Sequence, residues 1–170
     1  EKALPGRIPA ASQGTMNNVT FGNSNTSYYE TIGGGSGAGE FFDGASGVQV
    51  HMTNTRITDP EIIERQYGIE IMDFSIRQNS GGNGSHQGGN GLVREYRFAA
   101  DTEVAITSER RGEYLPYGIK GGEAGEPGRN THIKATGEEK VIPGKAILTV
   151  SCGDRLRIET PGGGGYGQCH

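Results

Sequence analysis

The sequence is short of large aliphatic residues. Leu, Ile, Val and Phe together supply only 31 of the 170 residues, a share just below the level at which intrinsic disorder becomes a concern. Two features favour a folded chain: the formal net charge is only −4, and 21 of those 31 residues are Ile or Val, which suit a pleated sheet. Glycine occurs 31 times, and glycine weakens helices. The composition therefore excludes a mainly helical protein and predicts a mainly β, glycine-rich one.

Cysteine, charge of one sign and long apolar runs are also scarce. Cys152 and Cys169 lack a metal-like spacing, so we expect free thiols in a reducing compartment, with a single disulfide as the alternative. No secretory signal and no apolar run long enough to cross a membrane occur, which predicts a cytoplasmic protein. The 16 basic residues are scattered and the pI is about 5.6, so neither nucleic acid nor a membrane surface is expected as a partner.

Short segments rich in Ile, Val, Phe or Tyr recur along the chain and are typical of strands. Their spacing predicts one domain, residues 1–170, built as a β-sandwich or a barrel. In one segment Ile69 and Ile71 share a face, whereas Met72 and Phe74 lie on the other, which predicts a β-bulge near residue 72 or burial of both faces. The predicted strands are 16–21, 27–32, 47–53, 69–77, 92–99, 102–107, 130–135, 146–151 and 154–159.

One short helix is predicted near residues 60–67. Asp59 can cap the first amides, Pro60 suits the first helical position, and Glu61 favours the positive end of the helix dipole. Gly68 is suited to end the helix.

The glycine clusters do not carry a nucleotide-binding motif. Gly144-Lys145 is followed by Ala146 rather than Ser or Thr, so the phosphate-loop pattern fails. Gly33 begins a loose dinucleotide-binding pattern, but no amphipathic helix follows it. Asn-Gly pairs at residues 83–84 and 90–91 instead favour hairpin turns. We expect the clusters to lie between strands.

The run from His51 to Glu61 is dense in polar side chains. Alternation over residues 47–53 predicts a strand that presents His51 on its polar face, and an imidazole suits proton transfer near neutral pH. An ordinary surface histidine is the alternative. The four histidines show no zinc-binding spacing, so no metal site is expected within this chain. Neither a Gly-x-Ser-x-Gly elbow nor an activated cysteine supports nucleophilic catalysis.

Several segments, taken in order, resemble the C-terminal part of the hydantoinase B/oxoprolinase family. The resemblance covers nearly the whole chain, from about Leu4 to Gly167, and a series of motifs in order is more specific than any single one. The segments are Ala11–Val19, Tyr28–Gly39, Asp43–Gly47, His51–Glu61, Ser80–Gly84, Tyr117-Gly118, Gly121–Glu123 and Thr160–Gly167.

The resemblance implies a B-type subunit of several hundred residues, of which this chain, beginning at Glu1 rather than Met, would be the last third. Family members open cyclic amides such as 5-oxoproline or N-methylhydantoin by ATP-driven hydrolysis with an A-type, ATP-binding partner, and related assemblies carboxylate ketones. ATP and Mg would then act through the partner, and a divalent metal would lie in the N-terminal portion. This chain alone would be inactive. A non-catalytic module for binding or subunit assembly is the alternative.

The resemblance also implies that the polar segments line a substrate cleft. Glu30 and His51 are expected to be the catalytic residues that move protons. Amide, hydroxyl and guanidinium groups would bind the substrate carbonyl or amide, or an anionic or phosphorylated group. The expected substrate-binding residues are Asn17, Asn18, Asn54, Thr55 and Arg56.

Overall fold

The computed structural model describes residues 3–4, 6–14, 16–24 and 26–169. In these residues it contains nine strands and one helix, which confirms the mainly β prediction. The elements are β1 (Asn17–Gly22), β2 (Ser27–Thr31), α1 (Pro60–Tyr67), β3 (Ile69–Arg77), β4 (Gly91–Phe98), β5 (Thr102–Ser108), β6 (Arg129–Ile133), β7 (Glu139–Ile142), β8 (Lys145–Val150) and β9 (Arg155–Glu159).

The strands form two antiparallel sheets that pack face to face. One sheet has the order β2-β1-β5-β8, and the other has the order β3-β4-β9-β6-β7. Phe21 of β1 meets the rings of Tyr96 and Phe98 of β4 edge to face, with centroid separations of 5.5 and 5.9 Å. Such edge-to-face contacts stabilise a pair of aromatic rings in addition to the stabilisation that comes from burying them. The two sheets therefore form a β-sandwich, one of the two architectures expected.

Alternation along β1 shows why the core lies between the sheets. Val19 and Phe21 are buried, whereas Thr20 between them is exposed, because successive side chains of a strand point to opposite faces. The same period-2 pattern buries Val104 and Ile106 of β5. Each sheet thus contributes one apolar face to a shared core.

The helix and the bulge follow the sequence predictions. The Asp59 carboxylate accepts a hydrogen bond from the Glu61 N–H at 2.9 Å, and Gly68 ends α1 with a φ of +63°. Ile63 is fully buried and anchors the helix to the core. The register between β3 and β4 shifts between Ile71 and Asp73, which places the bulge at the predicted position. Within the described residues no helix is long and apolar enough to cross a membrane.

The predicted strand over residues 47–53 is wrong. The segment is irregular apart from a single bridge between Gly34 and Val48. His51 has a φ of +56°, a left-handed conformation that a strand cannot contain. The sequence analysis also missed β7, an edge strand with three of its four side chains exposed, because such a strand carries little apolar alternation.

The glycine clusters pack against one another beside the sandwich in what we call the glycine bundle: residues 33–39, 80–91, 116–125 and 161–167, with residues 10–13. Extended segments hydrogen-bond through their backbones, as in Gly163 N–H to the Gly89 carbonyl at 2.8 Å. A Cβ on Gly163 would overlap the Ser36 carbonyl oxygen. Glycine is therefore needed here for close approach of backbones.

The Asn-Gly pairs do not form the expected hairpin turns. A two-residue turn of that type needs positive φ at both central residues, and neither residues 83–84 nor residues 90–91 have it. Asn90 instead accepts the Ser80 and Gly81 N–H groups through Oδ1, both at 3.0 Å. These residues shape the glycine bundle. Both cysteines are exposed free thiols, as expected.

Candidate functional site

Two of the residues singled out in the sequence belong to what we call the polar network: Ser12, Gln13, Asn17, His51, Arg111 and Asn130. Gln13, Asn17, Arg111 and Asn130 are joined by side-chain hydrogen bonds, and the Ser12–His51 pair adjoins them through the chain. The Asn17 amide donates to Gln13 Oε1 at 2.5 Å. Its Oδ1 accepts from Arg111 Nη1 at 2.5 Å. Asn17 and Gln13 are buried, and burying amides is costly unless they are hydrogen-bonded. The network thus fixes both orientations.

His51 lies at the exposed end of the polar network. Its Nε2 is 2.7 Å from the Ser12 hydroxyl, and Gln13, the next residue, belongs to the buried part of the network. A hydroxyl hydrogen bond fixes an imidazole ring in orientation. The left-handed φ of His51 is an unfavourable conformation for a residue with a Cβ, and such strain occurs often at functional sites. The imidazole is therefore held in place while its ring remains open to solvent.

Arg111 lies in the part of the polar network that contains Asn17 and Asn130, and its charge is not balanced by a carboxylate of the described residues. Its guanidinium donates only to neutral oxygens: Asn17 Oδ1, the Glu109 carbonyl at 2.7 Å and Asn130 Oδ1 at 3.2 and 3.3 Å. Burial, together with the nearby positive charge of Arg77, lowers the pKa of Arg111 to about 9. Among the described residues no carboxylate pairs with it.

Glu30 lies elsewhere, inside the core. Its carboxylate accepts from the Tyr28 hydroxyl at 2.7 Å, from Arg94 Nε at 3.2 Å and from the Tyr96 hydroxyl. Burial raises the pKa of Tyr96 well above its ordinary value, and the Glu30 charge acts in the same direction. Both phenols therefore remain protonated donors. Glu30 is 5% exposed, so its oxygens are enclosed by these three partners.

The segment after His51 borders an open cleft of about 960 Å³. Arg56 lines the cleft together with residues from both halves of α1 and with Phe74. Asn54 and Thr55 precede Arg56 as exposed residues. The Arg94 guanidinium stacks 4.5 Å from the Phe74 ring centroid. It also donates from Nη2 to the Thr58 carbonyl at 3.1 Å. The cleft is therefore linked to Glu30 through Arg94.

The structure brings the predicted residues together only in part. His51 and Asn17 share the polar network, whereas Arg56 lines the cleft that Arg94 connects to Glu30 through Thr58 and Phe74. Asn18 faces away from the core and accepts a hydrogen bond from the Thr31 hydroxyl at 2.8 Å, apart from both groups. The sequence analysis thus combined residues that the fold divides between a network and a cleft.

Two important arginines were missed. Arg94 carries a readable signal, because it interrupts the buried alternation of Leu92, Tyr96 and Phe98 in β4, where a charge needs a partner. Arg111 carries none, since it follows β5 in an irregular segment. Ser12 and Asn130 likewise gain their roles only from tertiary contacts.

The described residues do not form a site for a metal ion or for the phosphates of a nucleotide. In the described part of the chain no three His, Cys, Asp or Glu side chains converge as metal ligands. Phosphate loops bind through free backbone N–H groups, but those of Gly82, Gly88 and Gly163 donate to backbone carbonyls within the glycine bundle. These residues do not fit either group.

The chain is similar in sequence to proteins of known name. It is 52% identical to 5-oxoprolinase 1 of Arabidopsis thaliana over 158 residues, which are 93% of this chain and 12% of that protein. It is 31% identical to a protein of a Pseudomonas species that is named as one of the subunits of a D-/L-hydantoinase, over 98% of this chain and 29% of that protein.

A solved structure has the same fold. The ATP-dependent caprolactamase of Pseudomonas jessenii superposes with a TM-score of 0.84 at 26% identity, over 99% of this chain and 31% of that chain. The chain thus spans less than a third of each relative. Its sequence matches the description Hydantoinase B/oxoprolinase over residues 1–169. With this match and the similarity to a 5-oxoprolinase, the chain belongs to the hydantoinase B/oxoprolinase family.

Proposed function

We propose that this chain is the C-terminal domain, residues 1–170, of a cytoplasmic B-type subunit that opens a cyclic amide in an ATP-dependent reaction, together with an A-type ATP-binding partner. The observation that carries the proposal is the 52% identity to a 5-oxoprolinase over 93% of this chain. The relative named as one of the subunits of a hydantoinase supports the partner. ATP and Mg act through that partner, because the glycine loops here use their amides internally.

The chemistry of ring opening explains what this domain contributes. A lactam carbonyl is a poor electrophile, and phosphorylation of its amide oxygen by ATP makes hydrolysis of the C–N bond downhill. Proton transfer to the departing nitrogen is then needed. His51 is the candidate for that step, because its ring is exposed and oriented by Ser12, and histidine is the most common general acid–base residue in enzymes.

The remaining residues divide between binding and support. Arg56, with Asn54 and Thr55 beside it, binds the phosphorylated amide at the cleft, since a guanidinium can contact two phosphate oxygens at once. Asn18 is a candidate for the substrate carbonyl or amide, whereas Asn17, which is buried and hydrogen-bonded to Gln13 and Arg111, supports the polar network. Glu30 positions Arg94 and the Thr58 carbonyl, a supporting role that suits its burial better than proton transfer.

The test uses the full-length subunit that contains this chain, purified with its A-type partner. ATP hydrolysis and ring-opened product are measured with 5-oxoproline, N-methylhydantoin, caprolactam and acetone. We expect ATP-dependent ring opening of at least one cyclic amide and none when ATP is omitted. In the same assembly, His51→Gln should lower kcat by about a hundredfold or more, the usual contribution of an acid–base group.

Two other outcomes would replace the proposal. Carboxylation of acetone without ring opening would assign the chain to a ketone carboxylase. A stable complex with the partner but no turnover on the whole panel would instead favour a β-sandwich module that serves assembly alone.

A further inference from the structure

The second half of β3 presents apolar side chains to solvent in what we call the β3 row: Met72, Phe74 and Ile76. They are 44%, 41% and 38% exposed, and residues two apart on a strand share a face. Phe74 and Ile76 lie directly opposite Arg94 and Leu92 of β4, whose side chains are buried, and directly opposite residues also share a face. The β3 row therefore lies on the core side of its sheet but is left partly uncovered.

The helix is too short to cover the whole of this strand. α1 contacts β3, and Ile63 of the helix is buried in one cluster with Ile69 at the start of β3. The eight residues of α1 extend for about 12 Å, whereas the nine residues of β3 extend for about 30 Å. Within the described residues β3 is an edge strand that pairs with β4 alone. The core is therefore incomplete beside the second half of β3.

The β3 row borders the open cleft of about 960 Å³. Phe74 from the row and Ile62 from α1, which is 46% exposed, both line this cleft. The Arg94 guanidinium stacks on the Phe74 ring at 4.5 Å, which holds the ring in place. Contiguous apolar surfaces with polar surroundings mark sites of contact with other protein segments.

The opposite edge of the same sheet is built differently. There β7 presents Glu139 and Lys140 to solvent, and charged side chains keep an edge strand from associating with other segments. The β3 row carries no charged side chain. Its composition thus suits a surface that is covered by protein rather than one that stays in water.

We propose that an apolar segment of the B-type subunit, from the part that precedes this domain, packs on the β3 row and fills the cleft. This inference rests on the proposed function, which makes the chain a C-terminal domain. The chain spans 29% of the hydantoinase subunit and 31% of the caprolactamase, so more than two thirds of such a protein lies outside it. A segment of the same chain meets this surface at high effective concentration, which favours it over a separate molecule. Arg56, which lines the same cleft, then lies at the boundary between two parts of the subunit.

Photocross-linking in the full-length subunit, purified with its A-type partner, tests this inference. Phe74→p-benzoylphenylalanine places a photoreactive ring in the β3 row, and Ile62→p-benzoylphenylalanine places one on α1 outside the core. We expect both to form cross-links, identified by mass spectrometry, to peptides of the same chain that precede this domain. Ser75→p-benzoylphenylalanine, exposed on the other face of β3, is the matched control and should lose those cross-links. A mixture of isotope-labelled and unlabelled subunits distinguishes cross-links within one chain from those between two copies.

The Ile62 position decides the matter if the Phe74 variant fails to fold. Cross-links only to the A-type partner, or only to a second copy of the subunit, overturn the inference, as does their absence from the folded assembly. Equal cross-linking from Ser75 and Phe74 also overturns it, because the core side of β3 would then not be the docking face. Cross-links in an assembly whose wild type opens no cyclic amide would uphold the docking surface while refuting the proposed function. Turnover without the cross-links would do the reverse.

Discussion

Glu30 of β2 and Arg94 of β4 form an ion pair inside the core, with 3.2 Å between Oε1 and Nε, and this pair joins the two sheets. Both side chains are almost completely enclosed. A buried pair of this kind is not itself proof of added stability, because desolvation offsets the attraction between the charges. Removal of one partner is different, since the other charge then remains buried alone.

Glu30→Gln is therefore expected to lower the free energy of unfolding by about 3 kcal/mol, because Arg94 loses its counterion in the core. Urea denaturation followed by circular dichroism measures this change. Glu70→Gln provides the matched control, since Glu70 pairs with Arg97 at the same 3.2 Å but with about half of each side chain exposed. That change should cost less than about 1 kcal/mol. Equal effects of the two substitutions would contradict a special role for the core pair.

Asp154 is expected to make stability depend on pH. Burial opposes its ionisation, but hydrogen bonds from the Ser151 and Ala135 N–H groups and from His132 together lower the pKa of Asp154. A carboxylate with a depressed pKa stabilises the fold above its unfolded value of about 3.9, and that contribution is lost as the pH falls through the folded pKa.

Asp154→Asn should therefore destabilise the protein most at pH 6 and progressively less as the pH falls towards 3. Thermal unfolding at pH 6, 5, 4 and 3 measures the difference. Asp73→Asn, at an exposed position of β3, is the control and should follow the wild-type profile. A constant gap between Asp154→Asn and the wild type across this range would show that the carboxylate contributes no pH dependence.

The glycine bundle is expected to tolerate no side chain at its centre. Gly163→Ala would force a Cβ into the Ser36 carbonyl, so several kcal/mol of destabilisation or failure to fold is expected, and the soluble yield and the unfolding midpoint report it. Gly68→Asn is the comparison: nothing lies within 4 Å, and φ is +63°. Because Asn accepts that conformation, the cost should be within about 1 kcal/mol. Similar effects at both sites would refute close approach as the reason for glycine.

Arg56 is expected to act in the full assembly by binding an anionic group at the cleft. Arg56→Ala should raise KM or lower kcat at least about tenfold, since a charge-assisted contact contributes about 1.5–3 kcal/mol. Steady-state kinetics of ring opening and ATP hydrolysis measure this. Arg97→Ala is the control and should leave both constants unchanged. Turnover and KM of Arg56→Ala that equal those of the wild type would remove Arg56 from the site.

Local physics explains which elements were predictable. Asp59 and Gly68 defined α1 because a cap and a left-handed stop act within a few residues of the helix they bound. The change of phase at Met72 located the bulge for the same reason. The segment around His51 was predicted wrongly, because its apolar alternation is typical of a strand. Its backbone conformation is instead determined by contacts with residues distant in sequence, such as Ser12 and Gly34.

By itself, the sequence determined the β-rich class, the helix, most strands and the family, since composition, periodicity and motif order need no knowledge of distant contacts. Only the tertiary structure decided that Glu30 lies in the core with Arg94 and that Arg111 donates a hydrogen bond to Asn17. It also decided that the glycine clusters pack against one another rather than form hairpin turns. The partners of these residues are separated by tens of positions along the chain. Burial and pairing at such separations arise when the two sheets and the glycine bundle come together, because the environment of a charge depends on everything that surrounds it.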